Sequence, residues 1–303
     1  MKKTVILLLA LSLLLTLCAC AGGPAAPEAP QGVCVTDMSG RTVSLAAPPA
    51  RIVALTAADC EIVCALGGKD LLVGRGEYCD YPEEILGLPA LQSGMQANME
   101  SILALAPDLV LMSYMDQTDE QIAQLQSAGV AVAASYAQDL NGVYESITMI
   151  GTLIGKTAEA EALIASMRNC FAELSADKEK NAGKSIYFEV SPLEWGLWAA
   201  GKGSFMDEIA VMLGLTNIFS DLDGWSEVSE EQVISRDPDY IVTVTMYGTD
   251  GASPTEEILA RAGWGEVSAV KNQKILNLTD NALTRPGPRL TDGAKALSAF
   301  VTE

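Results

Sequence analysis

The fold is decided by Asn98-Met-Glu-Ser-Ile-Leu103 with Pro107-Asp108-Leu-Val-Leu111, a stretch repeated in kind 131 residues later as Ser229-Glu-Glu-Gln-Val-Ile234 with Pro238-Asp239-Tyr-Ile-Val242. Each copy combines a helix-capping residue, a short helical pattern, a Pro-Asp pair and the pattern of a buried strand, all in the same register. A helix that leads into a buried strand is a unit of α/β architecture. The repeat therefore predicts two related α/β lobes.

Strand and helix patterns alternate on both sides of this repeat. Strand patterns cover 51–55, 71–74, 108–112, 130–134, 184–190, 239–244 and 274–278. A helical pattern over about 140–180 separates the two groups of strands. The expected fold class is α/β, with two three-layer lobes at 33–138 and 182–303 joined by a single long helix at 139–181.

The first nineteen residues have the organisation of a secretory signal. Lys2 and Lys3 precede an apolar run that ends at Leu17 and is too short to span a bilayer as a stable helix. The following Leu17-Cys18-Ala19-Cys20 resembles a bacterial lipobox, with Cys20 as the residue that is lipidated. We therefore interpret 1–19 as a lipoprotein signal peptide and 20–32, which is rich in Pro, Ala and Gly, as a tether. This predicts an extracytoplasmic protein anchored by lipid to the bacterial cell membrane.

Charge and composition exclude several classes of function. The formal net charge is −20, and so acidic a surface repels phosphate backbones, which argues against nucleic-acid binding. The chain contains no histidine. This removes the commonest general base and the commonest transition-metal ligand, and it leaves no Ser-His or Cys-His pair. We expect no catalytic residues and no metal ligands.

Large aromatic residues follow several of the predicted strands. Tyr78 lies in a turn-rich loop after one strand, Trp195 and Trp198 follow the strand that ends near Val190, and Trp225 precedes the second repeat helix. Loops at strand ends are where α/β sheets bind ligands, and large rings suit a broad, partly apolar ligand. The alternative is that each ring packs within its own lobe. We favour the ligand site for Tyr78, Trp198 and Trp225.

Glu100 and Glu231 occupy equivalent positions in the two repeat copies, two residues after Asn98 and Ser229. A carboxylate in the first turn of a helix interacts favourably with the helix dipole, whatever its function. It can also present one exposed acid per lobe to a basic partner. The spacing alone does not decide between these interpretations.

The chain resembles the family of solute-binding proteins that serve ATP-driven importers of iron complexes and vitamin B12. The resemblance extends from about residue 33 to the end of the chain and is carried by six motifs in order: Arg51-Ile-Val-Ala-Leu55, Tyr78-Cys-Asp-Tyr-Pro82, Asn98-Met-Glu-Ser-Ile-Leu103, Ala200-Gly-Lys-Gly-Ser-Phe205, Val228-Ser-Glu-Glu-Gln-Val233 and Arg285-Pro-Gly-Pro-Arg289. It implies two α/β lobes bridged by a rigid helix, the helical-backbone fold of periplasmic binding proteins.

The resemblance also implies roles for particular residues. Glu100 and Glu231 match the positions where one glutamate per lobe contacts arginines of the permease. The ligand-binding set that we assign comprises Tyr78, Asp80, Trp195, Trp198, Trp225, Tyr247 and Arg285. An aromatic and an acidic ligand contact of the B12-binding members align near Gly94 and at Asn281, so corrinoid, haem and ferric siderophore all remain open as ligands.

The expected function is therefore capture of a metal chelate between two lobes and its delivery to an ABC permease and, through the permease, to its ATPase. The metal arrives within the chelate, so we expect no cofactor. We also expect a monomer. Two alternatives from other classes are an extracellular carboxylate-dependent hydrolase on the same scaffold and a surface lipoprotein with no role in transport. The first requires titrating groups that converge in the cleft, and the second predicts no concave aromatic site.

Overall fold

The computed structural model describes residues 32–114, 118–244, 253–278 and 281–302. Its N-terminal lobe starts with an antiparallel hairpin of β1 (Val33–Thr36) and β2 (Thr42–Leu45). A five-stranded parallel sheet follows, made of β3 (Ile52–Ala54), β4 (Leu72–Gly76), β5 (Ala90–Leu91), β6 (Leu109–Ser113) and β7 (Ala131–Ser135). The spatial order of these strands is β5-β4-β3-β6-β7. The helices of this lobe are α1 (Ala57–Ala65), α2 (Met99–Ala104) and α3 (Thr118–Ser127).

Two helices connect the lobes, α4 (Leu140–Leu153) and α5 (Thr157–Ser175). The predicted uninterrupted helix over 139–181 is thereby corrected to a pair. The chain reverses at Gly155, which adopts a φ of +71°, a conformation that glycine adopts without steric cost. The two helices then pack closely because Gly151 has no side chain: a Cβ at that position would lie 2.6 Å from the Cβ of Ala160. Helix α4 contacts the N-terminal lobe through α1, and α5 contacts the C-terminal lobe.

The C-terminal lobe contains a six-stranded mixed sheet. Its strands are β8 (Ser185–Glu189), β9 (Leu197–Ala200), β10 (Thr216–Asn217), β11 (Trp225–Val228), β12 (Tyr240–Val244) and β13 (Ile275–Leu278). The path through the sheet is β11-β9-β8-β12-β13, with β10 paired to β8. Strand β9 is antiparallel to both of its neighbours. The helices are α6 (Phe205–Met212), α7 (Glu230–Arg236), α8 (Pro254–Ala260), α9 (Ser268–Lys271) and α10 (Leu290–Thr302).

The core sits on both faces of each sheet and continues between the lobes. One apolar cluster runs from Leu109 in the N-terminal sheet through Ile150 and Met167 on α4 and α5 to Ile186 in the C-terminal sheet. The opposite faces of the two sheets carry their own clusters, around Val110 in one lobe and Tyr187 in the other. Sheets covered on both faces are the three-layer arrangement that the alternating pattern predicted. The α/β fold class with two lobes is confirmed.

The repeated stretch forms the same substructure twice. Asn98 caps α2 by accepting from the Ser101 N–H at 3.1 Å, and Ser229 caps α7 by accepting from the Gln232 N–H at 3.3 Å. Ala106 and Asp237, also 131 residues apart, turn the chain with φ values of 45° and 44°. The two Pro-Asp carboxylates then accept backbone N–H groups at the start of a neighbouring strand. The internal repeat is therefore structural as well as sequential.

Candidate functional site

The lobes enclose a cleft that consists of two adjoining cavities, of about 450 Å³ and about 410 Å³. Both cavities are lined by Ala57 of the N-terminal lobe and by Trp225, Thr284 and Arg285 of the C-terminal lobe. The larger one, which we call the ring cavity, also has Tyr78, Val190, Ser191, Trp198, Met206, Val244 and Asn281 in its wall. A concave, mostly apolar site between lobes is typical of small-molecule binding.

The antiparallel pairing of β9 with β11 brings the two tryptophans of the ring cavity together. Trp225 pairs with Ala200, and Trp198 pairs with Glu227. Because side chains alternate along a strand and paired residues share a face, Trp198 and Trp225 lie on the same face as diagonal neighbours. This pairing places both rings on the same wall of the cleft.

Trp225 is held in place by contacts with both lobes. Its ring meets the Phe205 ring edge-on, with centroids 5.3 Å apart. Its Nε1–H donates to the Oε1 of Gln138, in the loop after β7, at 2.8 Å. Trp198 and Tyr78 are less constrained, with 39% and 49% of their surfaces exposed. Exposed rings around a hollow mark an interaction site more often than a packing role.

Arg285 lines both cavities, yet its guanidinium is engaged by the protein. It donates to Glu61 of α1 at 3.1 Å, to Asp80, and to the carbonyl oxygen of Tyr78 at 3.2 Å. Arg289 donates to the same Glu61 through Nε and Nη2, at 3.1 and 2.8 Å. We call Glu61, Asp80, Arg285 and Arg289 the interlobe ion cluster, because it joins two arginines of the C-terminal lobe to two carboxylates of the N-terminal lobe.

The remaining predicted ligand contacts fall in different places. Asp80 belongs to the interlobe ion cluster and lines neither cavity. Trp195 is 53% exposed on the turn before β9, and it also lines neither cavity. Tyr247 lies outside the described residues. Thus the structure brings Tyr78, Trp198, Trp225 and Arg285 together and leaves Asp80 and Trp195 outside the cavity walls, and a ligand contact for each residue of the set stays a prediction.

The smaller cavity, which we call the polar cavity, contains a residue that the sequence pattern did not single out. Its wall carries Asp59 among hydroxyl and amide groups from Thr56, Ser113, Tyr114, Ser135, Tyr136 and Gln138. Asp59 is 1% exposed, and burial raises its pKa to about 6, although the hydroxyls of Thr56 and Ser135 act in the opposite direction. One signal was available: the α1 segment is apolar around its whole circumference, so a carboxylate within it must be buried.

Glu100 and Glu231 are both exposed in the first turn of their helices. Helix α7 begins directly after β11, whereas a short 3-10 turn at Gly94–Gln96 separates α2 from β5. Hydrogen bonds from its own backbone N–H and from Ser229 lower the pKa of Glu231. Cys20 lies outside the described residues.

Comparison with known proteins agrees with this geometry. Residues 52–282 match the periplasmic binding protein family. An uncharacterized ABC transporter substrate-binding lipoprotein of Bacillus subtilis is 33% identical over 89% of this chain and 85% of its own. A vitamin B12-binding protein of Salmonella choleraesuis is 27% identical over 82% of this chain and 88% of its own. The crystal structure of an Fe3+-hydroxamate transport protein from Saccharomonospora viridis, 26% identical, superposes with a TM-score of 0.74 over 89% of this chain and 99% of that one.

A cleft with aromatic walls between two α/β lobes defines a solute-binding protein. The chain belongs to the periplasmic binding protein family, and its relatives include a vitamin B12-binding protein and an ABC-type Fe3+-hydroxamate transport protein. The family is extracytoplasmic, and its members are binding proteins rather than enzymes, as the resemblance predicted. The alternative of a surface lipoprotein with no role in transport predicted no concave aromatic site, and the ring cavity contradicts that prediction. In the described part of the chain no group of three metal-binding side chains occurs, and no helix there has the length and apolarity to cross a bilayer.

Replacement of Glu61 tests the interlobe ion cluster. Arg285 and Arg289 are both buried, and Glu61→Gln removes the carboxylate that both of them contact. Breaking a buried ion pair typically costs about 3–5 kcal/mol. We expect a loss of that size in the free energy of unfolding, measured by urea denaturation. Glu266→Gln is the matched control, because its pair with Lys271 is exposed and such pairs contribute about 0–1 kcal/mol. Equal stability of the two variants would contradict the role of the cluster.

Proposed function

We propose that this protein captures a metal chelate, a corrinoid, haem or ferric siderophore, in the cleft and delivers it to an ABC permease. The observation that carries the proposal is the ring cavity, where Tyr78, Trp198 and Trp225 surround a hollow between the lobes. Flat or broad ligands gain most from such walls, because ring faces bury large apolar areas. The metal enters inside the chelate, so the protein needs no cofactor of its own.

The charge of the cleft narrows the proposed ligand class. Arg285 is the one cation in the described walls of the two cavities, and Glu61 and Asp80 already neutralise it. Arg75, on β4, lines neither cavity and donates to the carbonyl oxygens of Gly76 and Cys79. An anionic chelate would find no uncommitted positive charge in these walls. The charges favour a neutral or cationic chelate.

Ligand binding is tested directly by thermal shift. A ligand at about 100 times its dissociation constant adds roughly 2.7 kcal/mol to the free energy of unfolding. We expect such a shift with at least one member of a panel of cobalamin, cobinamide, haem, ferric hydroxamates and ferric catecholates. Trp198→Ala and Trp225→Ala should each lower the affinity for that ligand by about tenfold or more, because central aromatic contacts dominate binding energy.

Trp195→Ala is the matched control for these variants, since its ring lies outside both cavities. It should retain the affinity of the unaltered protein, measured by isothermal titration. Binding that is indifferent to all three tryptophans would reject the ring cavity as the site. No response to any chelate would reject the proposed function.

Docking to the permease is the second part of the proposal. Glu100 and Glu231, one exposed carboxylate from each lobe, would contact basic residues of the permease. The double variant Glu100→Ala, Glu231→Ala should bind ligand normally and lose most uptake, because neither side chain lines a cavity. Cellular accumulation of the radiolabelled ligand measures the loss. Glu120→Ala with Glu266→Ala changes the net charge equally at other exposed positions, and uptake should survive in that control. Equal uptake by both double variants would contradict docking through Glu100 and Glu231.

Membrane anchoring through Cys20 completes the proposal. A diacylglyceryl group places two acyl chains in the bilayer, which is enough for stable attachment. Cys20→Ser should abolish incorporation of labelled fatty acid and release the protein from the membrane fraction. Cys18→Ser, two residues earlier, should leave labelling intact. Undiminished labelling of Cys20→Ser would place the modification elsewhere.

A further inference from the structure

The polar cavity contains a carboxylate whose hydrogen bonding is incomplete. Asp59 is buried at the start of α1, and its Oδ2 accepts from the Ser135 hydroxyl at 3.2 Å. Its Oδ1 has no hydrogen-bond partner among the described residues. A buried carboxylate oxygen without a donor is energetically costly, and such groups concentrate at functional sites. Asp59 therefore has an unused acceptor in the wall of the cleft.

Metal binding does not explain this acceptor. A metal site needs several ligands that converge, and the described residues contain no group of three cysteine or acidic side chains that could supply them. The other polar groups in the wall of this cavity are hydroxyls, phenols, the Gln138 amide and the Arg285 guanidinium, alongside apolar side chains such as Phe205. This surrounding is suited to hydrogen bonding with a polar group of a ligand.

The two cavities meet at Ala57, Trp225, Thr284 and Arg285, which line both. A ligand whose ring system lies against Trp198 and Trp225 can therefore extend a substituent past Trp225 into the polar cavity. Resting on the proposed function, we propose that Asp59 accepts a hydrogen bond from an N–H group on the periphery of the chelate, an amide or an ammonium. Carboxamide-bearing corrinoids and amine-bearing hydroxamate siderophores both offer such a donor, whereas the periphery of haem offers carboxylates.

This role makes binding depend on pH, since Asp59 accepts fully only when ionised. Because burial raises its pKa to about 6, its ionised fraction grows between pH 5 and pH 7.5. Affinity for an N–H donor should increase over that range. The other titratable or charged groups that share the cavity or pack beside Asp59 are Tyr114, Tyr136, Cys60 and Arg285, with Glu61 and Asp80 on Arg285. All of these remain in an Asp59 variant.

The test is isothermal titration of the full chain and Asp59→Asn with dicyanocobinamide, cobalamin, ferrioxamine B and haem at pH 5, 6 and 7.5. Among the N–H-bearing probes, the one that binds should lose affinity by about 10- to 100-fold at pH 7.5, because the substitution removes a charge-assisted hydrogen bond. It should also remove the increase in affinity with pH. Haem should bind Asp59→Asn at least as well as the unaltered protein. Asp70→Asn makes the same chemical change at an exposed position and should alter nothing.

The free energy of unfolding of Asp59→Asn shows whether the variant folds, and its dependence on pH can also be predicted. Asp59 has a higher pKa in the folded protein than in the unfolded chain, so its contribution lowers the free energy of unfolding as pH rises from about 4 to about 6. Asp59→Asn should remove that decline and be at least as stable at pH 7.5. A folded variant with unchanged affinity and an unchanged pH profile would overturn the role of Asp59 while leaving the proposed function intact. If the unaltered protein binds only haem or a ferric catecholate, this inference fails alone. If it binds no chelate of the thermal-shift panel, the proposed function fails and this inference fails with it.

Discussion

The cleft depends on one buried carboxylate, Glu61, which receives both Arg285 and Arg289 from the opposite lobe. All three side chains are largely buried, so each has lost most of its hydration and each needs its partners. The segment that carries the arginines also supplies Thr284, Arg285 and Pro286 to the polar cavity. The ion cluster therefore fixes the position of a shared wall of the two cavities relative to the N-terminal lobe.

This arrangement has a consequence for ligand capture. A continuous apolar core through α4 and α5 joins the lobes on one side, and the ion cluster joins them beside the cleft. Packed cores of this kind do not deform continuously, so large relative rotation of the lobes would break both connections. The ligand meets walls that are mostly in place beforehand, which lowers the entropic cost of binding.

Much of this architecture was predictable from local pattern. The capped helix, Pro-Asp pair and strand that recur after 131 residues predicted the two lobes, because capping and strand burial are local properties of the sequence. The interruption at Gly155 was not predicted, since a single glycine within a strong helical pattern does not by itself end a helix. The short antiparallel strands that carry Trp198 and Trp225 were also missed, because their pairing depends on residues about 27 positions apart rather than on their own composition.

The site was predicted less completely than the fold, because it depends on contacts between residues that are distant in the sequence. Arg285 was assigned to the ligand set because the family resemblance places it in a loop that faces the cleft, whereas its partner Glu61 lies 224 residues away in the sequence. No local pattern reveals such a pair. Asp59 escaped notice because a carboxylate in the first turn of a helix ordinarily serves the helix dipole. The apolar surroundings of Asp59 in the sequence indicated burial, but only the fold places this carboxylate in the wall of a cavity.

Trp225 combines two structural roles in one side chain. The same indole forms part of the chamber wall and fastens one half of the molecule to Gln138 of the other. A guest that displaces the ring must also strain or release that fastening. Movement of this one side chain would therefore change the cavity wall and the contact between the two halves together.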